Sequence, residues 1–166
     1  MPRSRPQHPD PANFDRVLQF MQVMWAVDHQ LQRVSKRMVT TLGLTVPQRM
    51  TLLLIGRNPQ ISAGELARML HLHPGTISGI VRRLEEAMLL ARATDAGDAR
   101  RTKLILTRRG REVNRRRAGT FEDAVRKTLA ETSRSDVASA ERILRHLAGR
   151  LRGIVHAIED TTHRLE

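Results

Sequence analysis

The run HLHPGTISGIVRRLEEAM, residues 71–88, is where residue type and spacing point most directly to chemistry. Pro74 suits a first helical turn, where its missing N–H removes no hydrogen bond. From there Ile77, Ile80, Val81, Leu84 and Met88 fall on one stripe of a helix. Gly75, Gly79, Arg82 and Glu86 lie on the opposite side, with Thr76, Ser78 and Arg83 on the flanks. Each helical glycine costs roughly 1 kcal/mol against alanine, so two on one polar face point to a backbone that something must approach closely. The amides and positive dipole end at Pro74 suit a phosphate. Thr76, Ser78 and Arg82 are side chains that read base edges in a major groove, through a methyl contact, a hydroxyl and a guanidinium fork respectively. Arg83, nearer the flank, suits a phosphate.

Other chemistries fare poorly. There is no cysteine, so disulfides, thiolate-bound zinc and thiol redox sensing are excluded. His71 and His73 sit two residues apart at a helix mouth with no evident third ligand, a weak basis for a metal site. Capping of the helix or a phosphate contact by His73 is the better expectation. No phosphate-cradling glycine loop and no Ser-x-Gly elbow is present, so neither an enzyme nor a cofactor is expected.

The charge balance agrees with an anionic partner. There are 29 Lys and Arg against 17 Asp and Glu, a formal net charge of +12. Such a balance favours nucleic acid or an anionic membrane surface. Arg100, Arg101, Lys103, Arg108, Arg109, Arg111, Arg115, Arg116 and Arg117 face a single acid, Glu112, within 100–117. Aromatic anchors for a membrane interface are nearly absent: Trp25, Phe14, Phe20 and Phe121 are the whole set. With no signal peptide and no 18-residue apolar run, a cytoplasmic protein that does not enter membranes is expected.

The elements that must position the 71–88 run are predominantly helical. Residues 1–12 hold four prolines and no periodicity and read as a mobile tail. From Phe14 to Leu42 apolar residues recur at three- and four-residue steps, predicting one long amphipathic helix ended by Gly43. A second helix starts at Thr45 or Val46 and stops near Gly56–Asn58. Ser62 and Glu65 have capping-box spacing for a third, with Leu66, Met69 and Leu70 as its buried face. After Met88 the period switches to two. The segments LLARAT and TKLILT flank the turn residues DAGDAR, which predicts a hairpin over 89–107. Helices follow over roughly 108–131 and 135–163. In the last, Ala140, Leu144, Leu147, Leu151, Ile154 and Ile158 form a heptad seam suited to a partner subunit.

Two short helices in tandem followed by a charged hairpin give the order of a winged helix-turn-helix, in which the second helix enters the major groove. The run LHPGTISGIVRRLEEAMLLARATDAGDARRTKLILTRRG resembles the DNA-binding core of the MarR-type (multiple-antibiotic-resistance regulator) family. Its wing pattern is carried by Asp95, Asp98, Arg100, Leu106, Thr107 and Gly110, and the order of elements agrees over 14–163. The resemblance implies a mainly α fold with a small β wing. It assigns 13–43 and 108–166 to dimerisation helices and 44–107 to the DNA-binding lobe, in one structural domain overall. It further implies that Asp95 or Asp98 holds Arg100 in the wing while neighbouring cations reach the backbone, and that a homodimer reads a roughly palindromic operator in double-stranded DNA, acting as a repressor. Two positions depart from the pattern. Gly97 stands where many relatives have a wing-tip Arg, which Arg101 would partly replace. Met88 stands where a glycine closes the recognition helix, and is expected to pack inward.

Many relatives respond to small molecules held between dimer helices and lobe. Trp25, His29 and Arg33, at four-residue spacing on one side of the first helix, are the candidates for such a ligand site. The main rival to DNA binding is a winged-helix module that binds protein or RNA.

Overall fold

The computed structural model describes residues 11–94 and 102–163. The proline-rich segment 1–10 and the wing tip, with Asp95, Gly97, Asp98, Arg100 and Arg101, lie outside the described residues. The chain divides into two compact units, one ending at Phe121 and one beginning at Glu122.

The first unit opens with α1 (Pro11–Leu42), which starts three residues before the expected Phe14 because Pro11 serves as a first helical residue. Gly43 follows at φ +71°, its N–H donating to the Val39 carbonyl. The α2 helix (Val46–Arg57) is started by Thr45, whose hydroxyl accepts from the Gln48 amide while the Gln48 side chain accepts from the Thr45 amide. The α3 helix (Ala63–Leu70) repeats that device with Ser62 and Glu65, at the predicted spacing. Its buried face differs from expectation: Leu66 and Ala67 are buried and Met69 is half exposed.

The α4 helix (Pro74–Glu86) buries Ile77, Val81 and Leu84 completely. Strands β1 (Leu90–Thr94) and β2 (Thr102–Leu106) pair antiparallel, with Leu90 opposite Leu106 and Arg92 opposite Leu104. Alternation along β2 puts Leu104 and Leu106 in the core and turns Ile105 outward. The Leu104 amide also donates to the Ile61 carbonyl, so the segment before α3 joins the sheet by one bridge. An aliphatic core runs through Leu52, Ile55, Leu66, Ile77, Val81, Leu84, Leu89 and Leu104.

The expected 108–131 helix is two helices, α5 (Arg108–Arg115) and α6 (Phe121–Ala130). The break has a tertiary cause. Arg49, 1% exposed, donates from its guanidinium to the carbonyls of Val113 (2.8 Å), Asn114 (3.3 Å) and Arg116 (2.6 Å). Those oxygens would otherwise accept from the amides of a further turn. The chain leaves α5 extended at Arg116 and turns at Gly119, φ +72°.

The second unit contains α6 and α7 (Arg134–His163). Ser133 opens α7, its hydroxyl accepting from the Asp136 amide at 3.1 Å. Of the heptad seam, Leu144, Leu151 and Ile154 are about half exposed in the single chain and Leu147 is partly buried. No single described helix is long and apolar enough to cross a membrane.

Candidate nucleic-acid interface

The end of α3 and the start of α4 are set by local hydrogen bonding. His71 takes a left-handed conformation, φ +53°, as the Leu72 amide reaches back to the Ala67 carbonyl and closes α3. Two residues later His73 is the N-cap of α4, with Nδ1 accepting from the Gly75 amide at 3.1 Å. An imidazole that accepts at Nδ1 carries its proton on Nε2. The two histidines therefore have separate structural duties, one at each end of a three-residue turn.

Beyond the cap, Pro74, Gly75, Thr76, Ser78, Arg82 and Arg83 are exposed and Gly79 is partly exposed. Outside its own helix backbone, a methyl group placed on Gly79 would meet no atom of the described residues within 4 Å. Nothing in the internal packing demands a glycine there, so the space is available to something outside. The Ser78 hydroxyl donates to the Pro74 carbonyl at 3.0 Å, which leaves its oxygen as an acceptor toward a partner. Arg82 extends into solvent with Nε 3.8 Å from Glu86 Oε1, a pairing weak enough to give up for a stronger anion.

At its other end, α4 is joined to the hairpin. Glu85 receives a two-pronged hydrogen bond from Arg92 of β1, Nε to Oε1 at 2.8 Å and Nη2 to Oε2 at 3.2 Å. The turn between them is a Schellman closure: the Met88 amide donates to Glu85 and the Leu89 amide to Leu84. Met88 holds the left-handed position, φ +56°, and is 64% exposed. It does not pack inward as expected, because a residue in that conformation at the point of chain reversal directs its side chain to solvent.

Leu106, Thr107 and Gly110 each have a geometric role. Leu106 fills the core. The Thr107 hydroxyl accepts from the Gly110 amide at 3.0 Å, capping α5, and donates to the Met88 carbonyl at 2.7 Å. Gly110 lies so close to the Leu89 carbonyl that a Cβ there would overlap it. The start of α5 is thereby fixed against the end of α4.

Of the residues predicted to form the interface, Pro74, Gly75, Thr76, Ser78, Gly79, Arg82 and Arg83 share one helix and its approach. Trp25, His29 and Arg33 are all exposed on α1; Trp25, at 76%, is no part of the chain's own core. Sequence reasoning missed the Glu85–Arg92 clamp and Arg49. The latter left one signal: a cation at the three-residue spacing of Val46 and Leu52, in the buried stripe of an apolar helix.

Residues 42–101 match the model of the MarR family. An HTH-type transcriptional repressor of Mycobacterium tuberculosis is 29% identical over 109 residues, covering 66% of this chain and 78% of the relative. Among solved structures, S. aureus MepR in complex with DNA superimposes with a TM-score of 0.65 at 20% identity, over 79% of this chain and 97% of the other. Streptococcus pneumoniae FabT in complex with DNA does so with a TM-score of 0.62 at 19% identity, over 85% and 99%.

Proposed function

We propose that this chain is a MarR-type transcriptional repressor that binds duplex DNA as a homodimer, a reading supported by the match of residues 42–101 to the MarR family model. The observation that carries the reading is the outer face of α4. A capped helix N-terminus is followed by exposed Thr76, Ser78, Arg82 and Arg83 around a glycine whose missing side chain leaves open space. Such a helix seats its N-terminal half in a major groove, Thr76, Ser78 and Arg82 facing base edges and Pro74, Gly75 and Arg83 facing phosphates. Gly79 admits the backbone close to the bases. By the same resemblance the wing segment 95–101, outside the described residues, would bring Arg100, held by Asp95 or Asp98, and Arg101 to the flanking backbone.

Dimerisation is supported by apolar surface that the single chain leaves uncovered. On α1 these residues include Phe14, Val17, Leu18, Met21 and Met24; on α7 they include Leu144, Leu151 and Ile154. Isolated helices do not expose stripes of this length without a partner. Two copies related by a twofold axis would place their α4 helices one DNA turn apart, roughly 34–36 Å, and would read a palindrome. A small-molecule effector that alters this spacing would release the operator, with Trp25, His29 and Arg33 as one candidate contact surface.

Selection of bound sequences from a random duplex pool at moderate salt tests the reading. A palindromic motif with half-sites one turn apart is the expected result. Enrichment of no motif, with a shallow dependence of affinity on salt, would show a protein-binding module instead.

A further inference from the structure

Glu85 is an acid in the last turn of α4, the end of a helix at which negative charge is disfavoured. Helix formation does not account for it there. Its carboxylate receives the guanidinium of Arg92, seven residues on in β1, through two hydrogen bonds at 2.8 and 3.2 Å. The register of the hairpin directs that side chain. Arg92 stands directly opposite Leu104, and side chains opposite each other in an antiparallel pair share one face of the sheet. Leu104 is buried in the core of the lobe, so Arg92 projects on the core side of the hairpin and its fork closes on α4.

The two strands are held unequally. β2 has β1 on one side and the Ile61 carbonyl on the other, which accepts from the Leu104 amide at 2.9 Å. Just past its end the Thr107 hydroxyl donates to the Met88 carbonyl at 2.7 Å. β1 is the outer strand, and among the described residues Arg92 makes its side-chain hydrogen bonds to α4. A planar fork on a carboxylate fixes direction as well as distance. The Arg92 side chain is 51% exposed and that of Glu85 29%, and an ion pair this open adds little to stability. Its contribution is geometrical.

Resting on the reading of the chain as a DNA-binding repressor, we propose that Glu85 and Arg92 are positioning residues for DNA recognition. The fork holds β1, and with it the hairpin, at one angle to α4, so that the helix in the groove and the hairpin on the flanking backbone engage the duplex together. Neither side chain touches DNA. Charge alone predicts the opposite sign for its removal. Glu85→Gln takes a negative charge from a protein already at +12 and frees a guanidinium, which should tighten binding to a polyanion. A hairpin released from α4 weakens it.

Fluorescence anisotropy of the full-length protein on the selected operator, over a salt series, separates the two. Glu85→Gln should weaken binding by about fivefold or more and flatten the slope of log affinity on log salt by about 1 per protomer, as a phosphate contact of the hairpin is lost. The melting temperature should fall by no more than about 4 °C. Arg92→Lys keeps the cation but not the fork and should behave alike. Unchanged or tighter binding by Glu85→Gln would overturn the proposal, because Arg92 would then be idle or itself a phosphate contact. So would weaker binding at an unchanged slope, or an Arg92→Lys variant equal to the wild type. Hydrogen exchange without DNA tests the fork by itself. In Glu85→Gln the β1 amides should exchange about threefold faster or more while those of α3 keep their rates; unchanged β1 rates would also overturn the proposal. A wild-type protein that binds no duplex would defeat the repressor reading and the role in recognition with it, while the exchange rates still decide whether the fork holds β1.

Discussion

The guanidinium of Arg49 on α2 donates to the carbonyl of Arg116, 67 residues further along the chain, at 2.6 Å, and to two more carbonyls at the end of α5. A buried cation thus takes the place of a helix C-cap, at the end of the macrodipole where positive charge is favoured. Arg49→Leu puts an apolar side chain of moderate size there and takes the guanidinium from the Asn114 and Arg116 carbonyls, while the Val113 carbonyl keeps the Arg116 amide. A loss of about 3 kcal/mol is expected, since each unsatisfied buried acceptor costs roughly 1–3 kcal/mol. Urea unfolding monitored by circular dichroism measures it, and a loss under 1 kcal/mol would mean that water replaces the guanidinium.

Gly110 is required by proximity rather than by conformation. Its Cα sits against the Leu89 carbonyl, and an added methyl group overlaps backbone that cannot swing away. Gly110→Ala should therefore destabilise the lobe by about 2–3 kcal/mol, the scale of overpacking in a well-filled interior. A thermal melt that does not shift would show that α5 can slide away from the α4 turn.

Met88 carries the opposite expectation. It occupies a left-handed conformation, φ +56°, with its side chain in solvent. That conformation costs an L-residue about 1 kcal/mol and costs glycine almost nothing. Met88→Gly should raise stability by up to about 1 kcal/mol, less what the unfolded chain gains in freedom. Urea midpoints of the two proteins compare them; a clear drop in stability would show that the Met88 side chain makes a contact that matters.

Arg82 distinguishes base reading from phosphate binding. Arg82→Ala should weaken the selected operator by about 1–3 kcal/mol and relax preference at one base pair per half-site. Fluorescence anisotropy on operator and random duplexes gives both numbers. Equal losses on the two would make Arg82 a phosphate contact.

Leu147 tests the assembly. It is the partly buried member of a seam whose other described members are open to solvent. Leu147→Asp puts a charge into a helix–helix contact, and the protein should elute from size exclusion as a monomer with its helical circular dichroism retained. An unchanged elution volume would place the subunit contact elsewhere.

Much of the candidate interface was legible because it is built from short-range rules. Capping by Ser62 and Glu65, Pro74 at a helix start, the 3.6-residue stripe of α4 and the two-residue alternation of β2 all act between neighbours in the chain. The exposed face of α4 follows from the same periodicity, since burial of Ile77, Val81 and Leu84 leaves Thr76, Ser78, Arg82 and Arg83 outside. The places where expectation failed share a different character. Periodicity continued a helix through 116–120, where Arg49 stops it. It turned Met88 inward, where the reversal into β1 turns it out. It buried Met69, where the packing of α3 buries Ala67 instead.

The amino-acid order alone therefore determined most of the helix and strand segments and which face of α4 stays exposed, and its charge balance favours an anionic partner. Hydrogen bonds and side-chain periodicity within a few residues are enough for that. Only the tertiary structure decided where α5 ends, how α4 is joined to the wing through Glu85 and Arg92, and that Gly110 must be small. Each depends on atoms brought together from distant or separately folded segments. Burial strengthens the Arg49 contacts by removing competing water, and no local pattern in the chain encodes which carbonyl a distant guanidinium will find.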